Sequence, residues 1–200
     1  MAKNAPADHL VHELIAARWS PCGFADRSVP EADLRSLFEA ARWAASSYNE
    51  QPWRYLVATR EDKAGYEKVL SCLVEGNQAW ARLAPVLALG AVSTQFERSG
   101  KPNAHARHDL GLASATLTFE ATARGLSVHQ MAGILPDRAR EVFSIPEGFE
   151  AVTGIAIGYA VDDLKTLPDA LRKRDEAPRS RRPLEEILFS GDWGKSAGWL

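Results

Sequence analysis

Ala44-Ala45-Ser46-Ser47-Tyr48-Asn49-Glu50-Gln51-Pro52-Trp53-Arg54 follows an amphipathic helical pattern and leads directly into an apolar run. It crowds two serine hydroxyls, two carboxamides, a proline and two aromatics into a helix exit, where backbone and side-chain donors can converge on a planar polar ligand. Upstream, Ser28-Val29-Pro30-Glu31 has the form of a capping box, and Leu34, Leu37, Phe38 and Ala41 continue the stripe, predicting a helix that ends near Ala45. An earlier helix is expected over about 7–18, with Leu10, Leu14 and Ala17 on one face, delivering Arg18 to the turn Ser20-Pro21-Cys22-Gly23.

Downstream, Trp53 to Thr59 reads as a strand, and Tyr66, Val69, Leu70 and Leu73 mark a helix. Pro85 to Val92 is apolar on both faces, as expected of a central strand covered by helices on each side. After a polar loop around Ser99 to Asn103, the longest helix is expected from about Ala104 to Arg124, ended by Gly125. It carries two stripes, Leu110/Ala113/Leu117/Ala121 and Leu112/Thr116/Phe119/Ala123, so it is either central or part of a subunit interface. Leu126 to Met131 and Ala151 to Val161 are further strands, with a short helix after Pro136. Leu164 to Arg182 is dense in charge and proline, and Pro183 to Phe189 forms a short apolar coda; such a tail buries little against its own domain and is free to wrap around a neighbour. The organisation expected is one domain, 1–200, with about 163–200 an extended C-terminal arm.

Two hundred residues, 46% of them hydrophobic, suffice for one sizeable core. A formal charge of −2, with both signs scattered, leaves no footprint for nucleic acid or an anionic membrane. The two cysteines, Cys22 and Cys72, stand far apart, which argues against a zinc site or a disulfide scaffold and fits a reducing cytoplasm. Met1 to Leu14 lacks a signal-peptide apolar block, and Leu83 to Val92 is about half of the roughly 20 residues that span a bilayer. A soluble, unexported protein is expected. His105-x-x-His108-Asp109 reads as a polar helix start in want of a third metal ligand, Gly100-Lys101-Pro102 is not a phosphate loop, and no Rossmann fingerprint or Gly-x-Ser-x-Gly elbow occurs. Trp193 and Trp199 read as frayed or interface packing.

Ser46-Ser47-x-Asn49-x-Gln51-Pro52-Trp53 resembles the signature of the FMN-dependent nitroreductase family. Arg18-Trp19-Ser20-Pro21-Cys22 and Arg179-Ser180-Arg181-Arg182-Pro183 resemble the N- and C-terminal motifs by which that family holds the FMN phosphate. Trp19 and Cys22 replace basic residues of the first motif. The resemblance implies an α+β fold, a central mixed sheet flanked by helices, in a homodimer that exchanges its C-terminal arm and carries FMN at the subunit interface. It implies that Arg18, Ser20, Arg179 and Arg181 cradle the phosphate and ribityl chain, while Ser46, Ser47 and Asn49 reach the partner's isoalloxazine. Asn77 corresponds to the asparagine at the flavin pyrimidine edge, with Trp80 where many relatives carry Lys. Met131, Ala132 and Gly133 correspond to the segment whose backbone faces flavin N5; Ala132 stands where many relatives are acidic, and Gly133 would allow close approach. The implied activity is ping-pong hydride transfer from NADPH or NADH to a small electron-poor acceptor, a nitroaromatic, quinone or flavin, with no catalytic side chain and with Tyr48 or Trp80 shaping the acceptor pocket. The alternatives are an FMN store or carrier, a non-catalytic scaffold, and a specialised dehalogenating or ring-oxidising flavoenzyme. The last would need a lid, for which Gly76 to Gln78 and Glu97 to Asn103 offer little.

Overall fold

Strand Val86–Ser93 is apolar at every position up to Ser93 because both of its faces are buried. In the computed structural model, which describes residues 3–199, it is the third-from-last strand in chain order and lies inside a four-stranded sheet. The order of elements is α1 (Glu13–Ala17), α2 (Glu31–Arg42), β1 (Trp53–Thr59), α3 (Lys63–Ser71), α4 (Glu75–Ala81), β2 (Val86–Ser93), α5 (Ala106–Ala123), β3 (Ser127–Met131), α6 (Pro136–Phe143), β4 (Phe149–Gly158) and α7 (Asp169–Glu176). Met1, Ala2 and Leu200, the ends of the expected 1–200 domain, lie outside the described residues.

The sheet order is β1-β2-β4-β3. Among the described residues every pairing in it is antiparallel, which corrects the expectation of a mixed sheet. The α+β class stands. Alternation of side chains across the pleat divides the core in two. Leu87, Leu89 and Ala156 point to Tyr66, Val69 and Leu70 of α3, Trp80 of α4 and Ala139 of α6. Val86, Ala88, Val92, Ile155 and Ile157 point to Leu37 and Ala41 of α2 and to Leu110, Ala113, Leu117 and Ala121 of α5.

Three local expectations change. The first helix covers Glu13–Ala17 only, with the His12 side chain accepting from Leu14 N–H at its start. Leu10 is fully exposed, so the extra turns have no surface to bury against, and a short isolated helix is marginal in water. Helix α2 starts behind Pro30 with no side-chain cap, so the Ser28 capping box does not form. The tail docks further than its composition indicates: Leu167 is buried, and Asp175 of α7 is 3% exposed.

The second stripe of α5 points outward, with Leu112 exposed and Thr116 and Phe119 half-buried. Beyond Arg182 the chain is mostly exposed, including Ile187, Trp193 and Trp199. No helix among the described residues is long and apolar enough to cross a membrane.

Candidate functional site

The turn at residues 20–23 is held from two sides, by Asp175 and by His129. Cys22 N–H donates to both oxygens of Asp175 (2.8 and 3.1 Å), and Gly23 N–H donates to Oδ2 (2.9 Å). His129 on β3 donates from Nδ1 to Pro21 O at 2.8 Å. Burial lowers the His129 pKa, and the bond to Pro21 O acts in the opposite direction. With the turn fixed, Arg18 leaves the end of α1 with Nη1 3.1 Å from Ser20 Oγ.

Arg18 forms the common wall of two clefts. One, of about 630 Å³, is lined by Asp8, His9, Arg18, Arg179, Arg181 and Arg182 among others. The other, of about 170 Å³, lies between Arg18, Ser20, Thr118, Phe119, Val128 and Gln130. Burial, and then the charges of Arg179 and Arg181, hold the Arg18 pKa below its ordinary value. Arg179 is lowered in the same way by burial and Arg181. Guanidiniums that repel one another in a partly desolvated cleft are stabilised by an anion between them, and phosphate is the anion their forked donors match.

Arg179 has a second duty: its Nη1 donates to Lys3 O (2.6 Å) and Ala16 O (2.7 Å), tying the tail to the N-terminal segment. Trp19 turns toward Lys3, whose ammonium lies 5.1 Å from the indole centroid. Cys22, 2% exposed, belongs to the core rather than to the cleft lining. Burial and Asp175 push its thiol up to about 11.

The Ser46–Gln51 loop forms a second cluster. Tyr48 (φ 53), Asn49 (φ 57) and Gln51 (φ 49) are all left-handed, a conformation that costs free energy for residues with a Cβ. The loop is pinned by Ser46 Oγ, which accepts from Gln51 N–H (3.0 Å), and by Ser47 N–H, which donates to Asp109 Oδ2 (3.1 Å). Asp109 is 2% exposed, so this carboxylate of the His105-to-Asp109 cluster serves as an anchor for the loop. Asn49 and Tyr48 face outward. The loop and the arginine cleft are offset along α5: the cleft-lining residue of that helix nearest Asp109 is Ala115, about 9 Å further along the helix axis.

Asn77 and Gly133 do come together. Asn77 Nδ2 donates to Gly133 O at 2.9 Å, and a Cβ built on Gly133 would stand 2.6 Å from Nδ2 and 2.8 Å from Val74 Cγ2. The close approach that glycine permits here is therefore to α4 of the same chain. Ala132 is exposed and Met131 is buried in the core. Trp80 does not shape a pocket: it is 1% exposed and stacked on His129, with ring centroids 4.2 Å apart.

Three participants were missed from sequence. Helix α4, which presents Asn77, is short and has no capping side chain. Asp175 and Asp109 act across 153 and 62 residues, and no local signal marks such bonds.

Residues 15–159 match the family described as the nitroreductase family. An uncharacterised 15.4 kDa protein encoded in the ask 5′ region of Mycolicibacterium smegmatis is 32% identical over 148 residues, which cover 70% of this chain and 97% of that one. A Streptomyces coelicolor protein bearing the provisional name NADH dehydrogenase/NAD(P)H nitroreductase is 38% identical over 101 residues, 48% of each chain. A crystal structure described as an oxidoreductase containing FMN aligns with a TM-score of 0.89 and 34% identity, covering 98% of this chain and 99% of that one. A nitroreductase family protein from Clostridium difficile 630 aligns at 0.70 with 25% identity, covering 90% and 97%. Sequence and fold agree over most of the chain, which belongs to the nitroreductase family of oxidoreductases.

Proposed function

We propose that the protein is an FMN-dependent oxidoreductase that takes hydride from NADPH or NADH and passes it to a small electron-poor acceptor in ping-pong fashion. The observation that carries this reading is the convergence of Arg18, Arg179 and Arg181 on one cleft, where burial and then the charges of Arg179 and Arg181 lower the Arg18 pKa, and burial and then Arg181 lower that of Arg179. That donor set fits a phosphate dianion. The FMN-containing relative and the NAD(P)H nitroreductase name of another supply the rest of the support.

In this reading Arg18, Ser20 and Arg181 hold the phosphate and ribityl end. Arg179 keeps the tail and N-terminal segment clamped beside them. Asn77, tied to Gly133 O, presents its carboxamide to the pyrimidine edge, and the backbone at Met131, Ala132 and Gly133 borders the ring. Ser46, Ser47 and Asn49 serve the cofactor of a second copy, in keeping with the separation of their loop from the arginine cleft along α5. Trp19 and Cys22 support the turn from outside the cleft. When bound, FMN supplies the hydride relay between nucleotide and acceptor. The acceptor class is nitroaromatic, quinone or flavin. The chain acts as one domain with an arm from about 163, in a homodimer. The buried thiols Cys22 and Cys72 are in keeping with a reducing cytoplasm.

The test is anaerobic absorbance of the purified chain reconstituted with FMN, before and after NADPH and NADH. Bleaching by either nucleotide supports the reductase; a bound flavin inert to both favours the store or carrier. Arg181→Ala should weaken FMN binding at least tenfold, read by equilibrium dialysis. Unchanged affinity would remove Arg181 from the phosphate site.

A further inference from the structure

The strained loop has a companion. Residues 95–102 form a turn closed by Gln95 and Pro102 as a bridge, by Phe96 N–H donating to Lys101 O (2.8 Å) and by Gly100 N–H donating to Phe96 O (2.8 Å). Gly100 takes φ +65 at its apex. This turn is stapled to the loop twice. Glu50 carboxylate accepts from Glu97 N–H. The Tyr48 ring meets Phe96 edge-on with centroids 6.0 Å apart, and the Arg98 guanidinium carbon lies 4.0 Å from the Tyr48 centroid and 5.8 Å from that of Phe96. The segment expected to offer little for a lid is therefore packed on the tyrosine between Ser47 and Asn49.

Tyr48 is 74% exposed in spite of this packing, and Arg98 is exposed as well. Among the described residues no carboxylate forms an ion pair with Arg98. A guanidinium lying on a ring keeps its forked N–H edges free, and an edge of that kind matches a carboxylate in bidentate fashion. The three left-handed residues of the loop hold this arrangement at a cost that packing elsewhere must offset, which is the usual mark of a functional surface.

We propose that Tyr48, Phe96 and Arg98 select the acceptor, and that the class selected is a planar, electron-poor aromatic bearing a carboxylate. Tyr48 offers its ring to the aromatic plane and Arg98 pairs with the anionic group. The proposal deepens the flavin reading, on which it rests for the placement of Ser46, Ser47 and Asn49 beside the isoalloxazine.

Two measurements on the full chain test it. Binding of benzoate and of benzamide is followed by saturation-transfer NMR with and without FMN, and turnover of 4-nitrobenzoate and nitrobenzene is followed anaerobically with the nucleotide that bleaches the flavin. The wild type should favour the carboxylate in both. Arg98→Ala should cut the ratio of kcat/KM for 4-nitrobenzoate over nitrobenzene at least tenfold and abolish the preference for benzoate, and Arg98→Lys should restore it only in part. Equal ratios in wild type and Arg98→Ala overturn the proposal. A flavin inert to both nucleotides overturns the reductase reading instead, and the benzoate-to-benzamide ratio then still decides the role of Arg98.

Discussion

Asp175 is the residue on which the arginine cleft depends most indirectly. It touches no cleft wall, yet its carboxylate takes the N–H groups of Cys22 and Gly23 and so sets the turn beyond Arg18. Hydrogen bonds to a buried charge contribute about 1.5–3 kcal/mol each when the partners have no substitute. Burial of the thiol, and then the same carboxylate, raise Cys22 from an ordinary 9.0 to about 11. Below pH 9.0 the thiol is protonated folded and unfolded alike; between 9.0 and about 11 the unfolded chain releases the proton and the folded one keeps it. Stability should therefore fall as pH rises through that window. Urea midpoints of wild type and Cys22→Ala, compared from pH 8 to 11, should show a steeper alkaline decline in the wild type. Parallel curves would mean that the thiol is not buried as described. The arginines themselves were legible as motif residues, because charge and spacing are local properties. Their supporting carboxylate was not, because the bond spans 153 residues.

At the scale of elements, periodicity predicted β1 over Trp53–Thr59 and placed β2 and α5 within two residues of their bounds. These elements bury continuous apolar faces, and burial is what hydrophobic patterning reports. Elements without such a face were misread: α1 is shorter than its stripe and α4 was not anticipated. Helix α4 also explains Gly133. Gly133→Ala would push a methyl into Asn77 and Val74 and break the bond from Asn77 Nδ2 to Gly133 O. Overpacking of this kind costs about 1–3 kcal/mol. A drop of that size in the urea-derived stability, with weaker FMN binding, is the expected outcome. An unchanged stability would show that α4 yields freely.

At the scale of the whole molecule, several large apolar side chains stay uncovered among the described residues. Leu112, Thr116 and Phe119 line the outer side of α5, Trp43 is 75% exposed and Trp193 is 93% exposed. In the proposed homodimer, an interface through α5 would bury this stripe. Phe119→Glu should convert a dimer to monomers in sedimentation equilibrium while the far-ultraviolet circular dichroism is retained, since Phe119 is only half-buried in the protomer. A Phe119→Glu protein that still sediments as a dimer would move the interface elsewhere.

The sequence by itself determined the doubly buried strand and the long helix, which are written in local spacing and hydrophobicity, and its motifs at Arg18, Ser46 and Arg179 carried the resemblance that implied the α+β class. Only the tertiary structure decided the antiparallel pairing of the sheet, the docking of α7 through Asp175, the burial of Trp80 against His129 and the packing of Arg98 on Tyr48. Those are contacts between distant segments, whose free energy depends on which surfaces meet and how much water leaves between them.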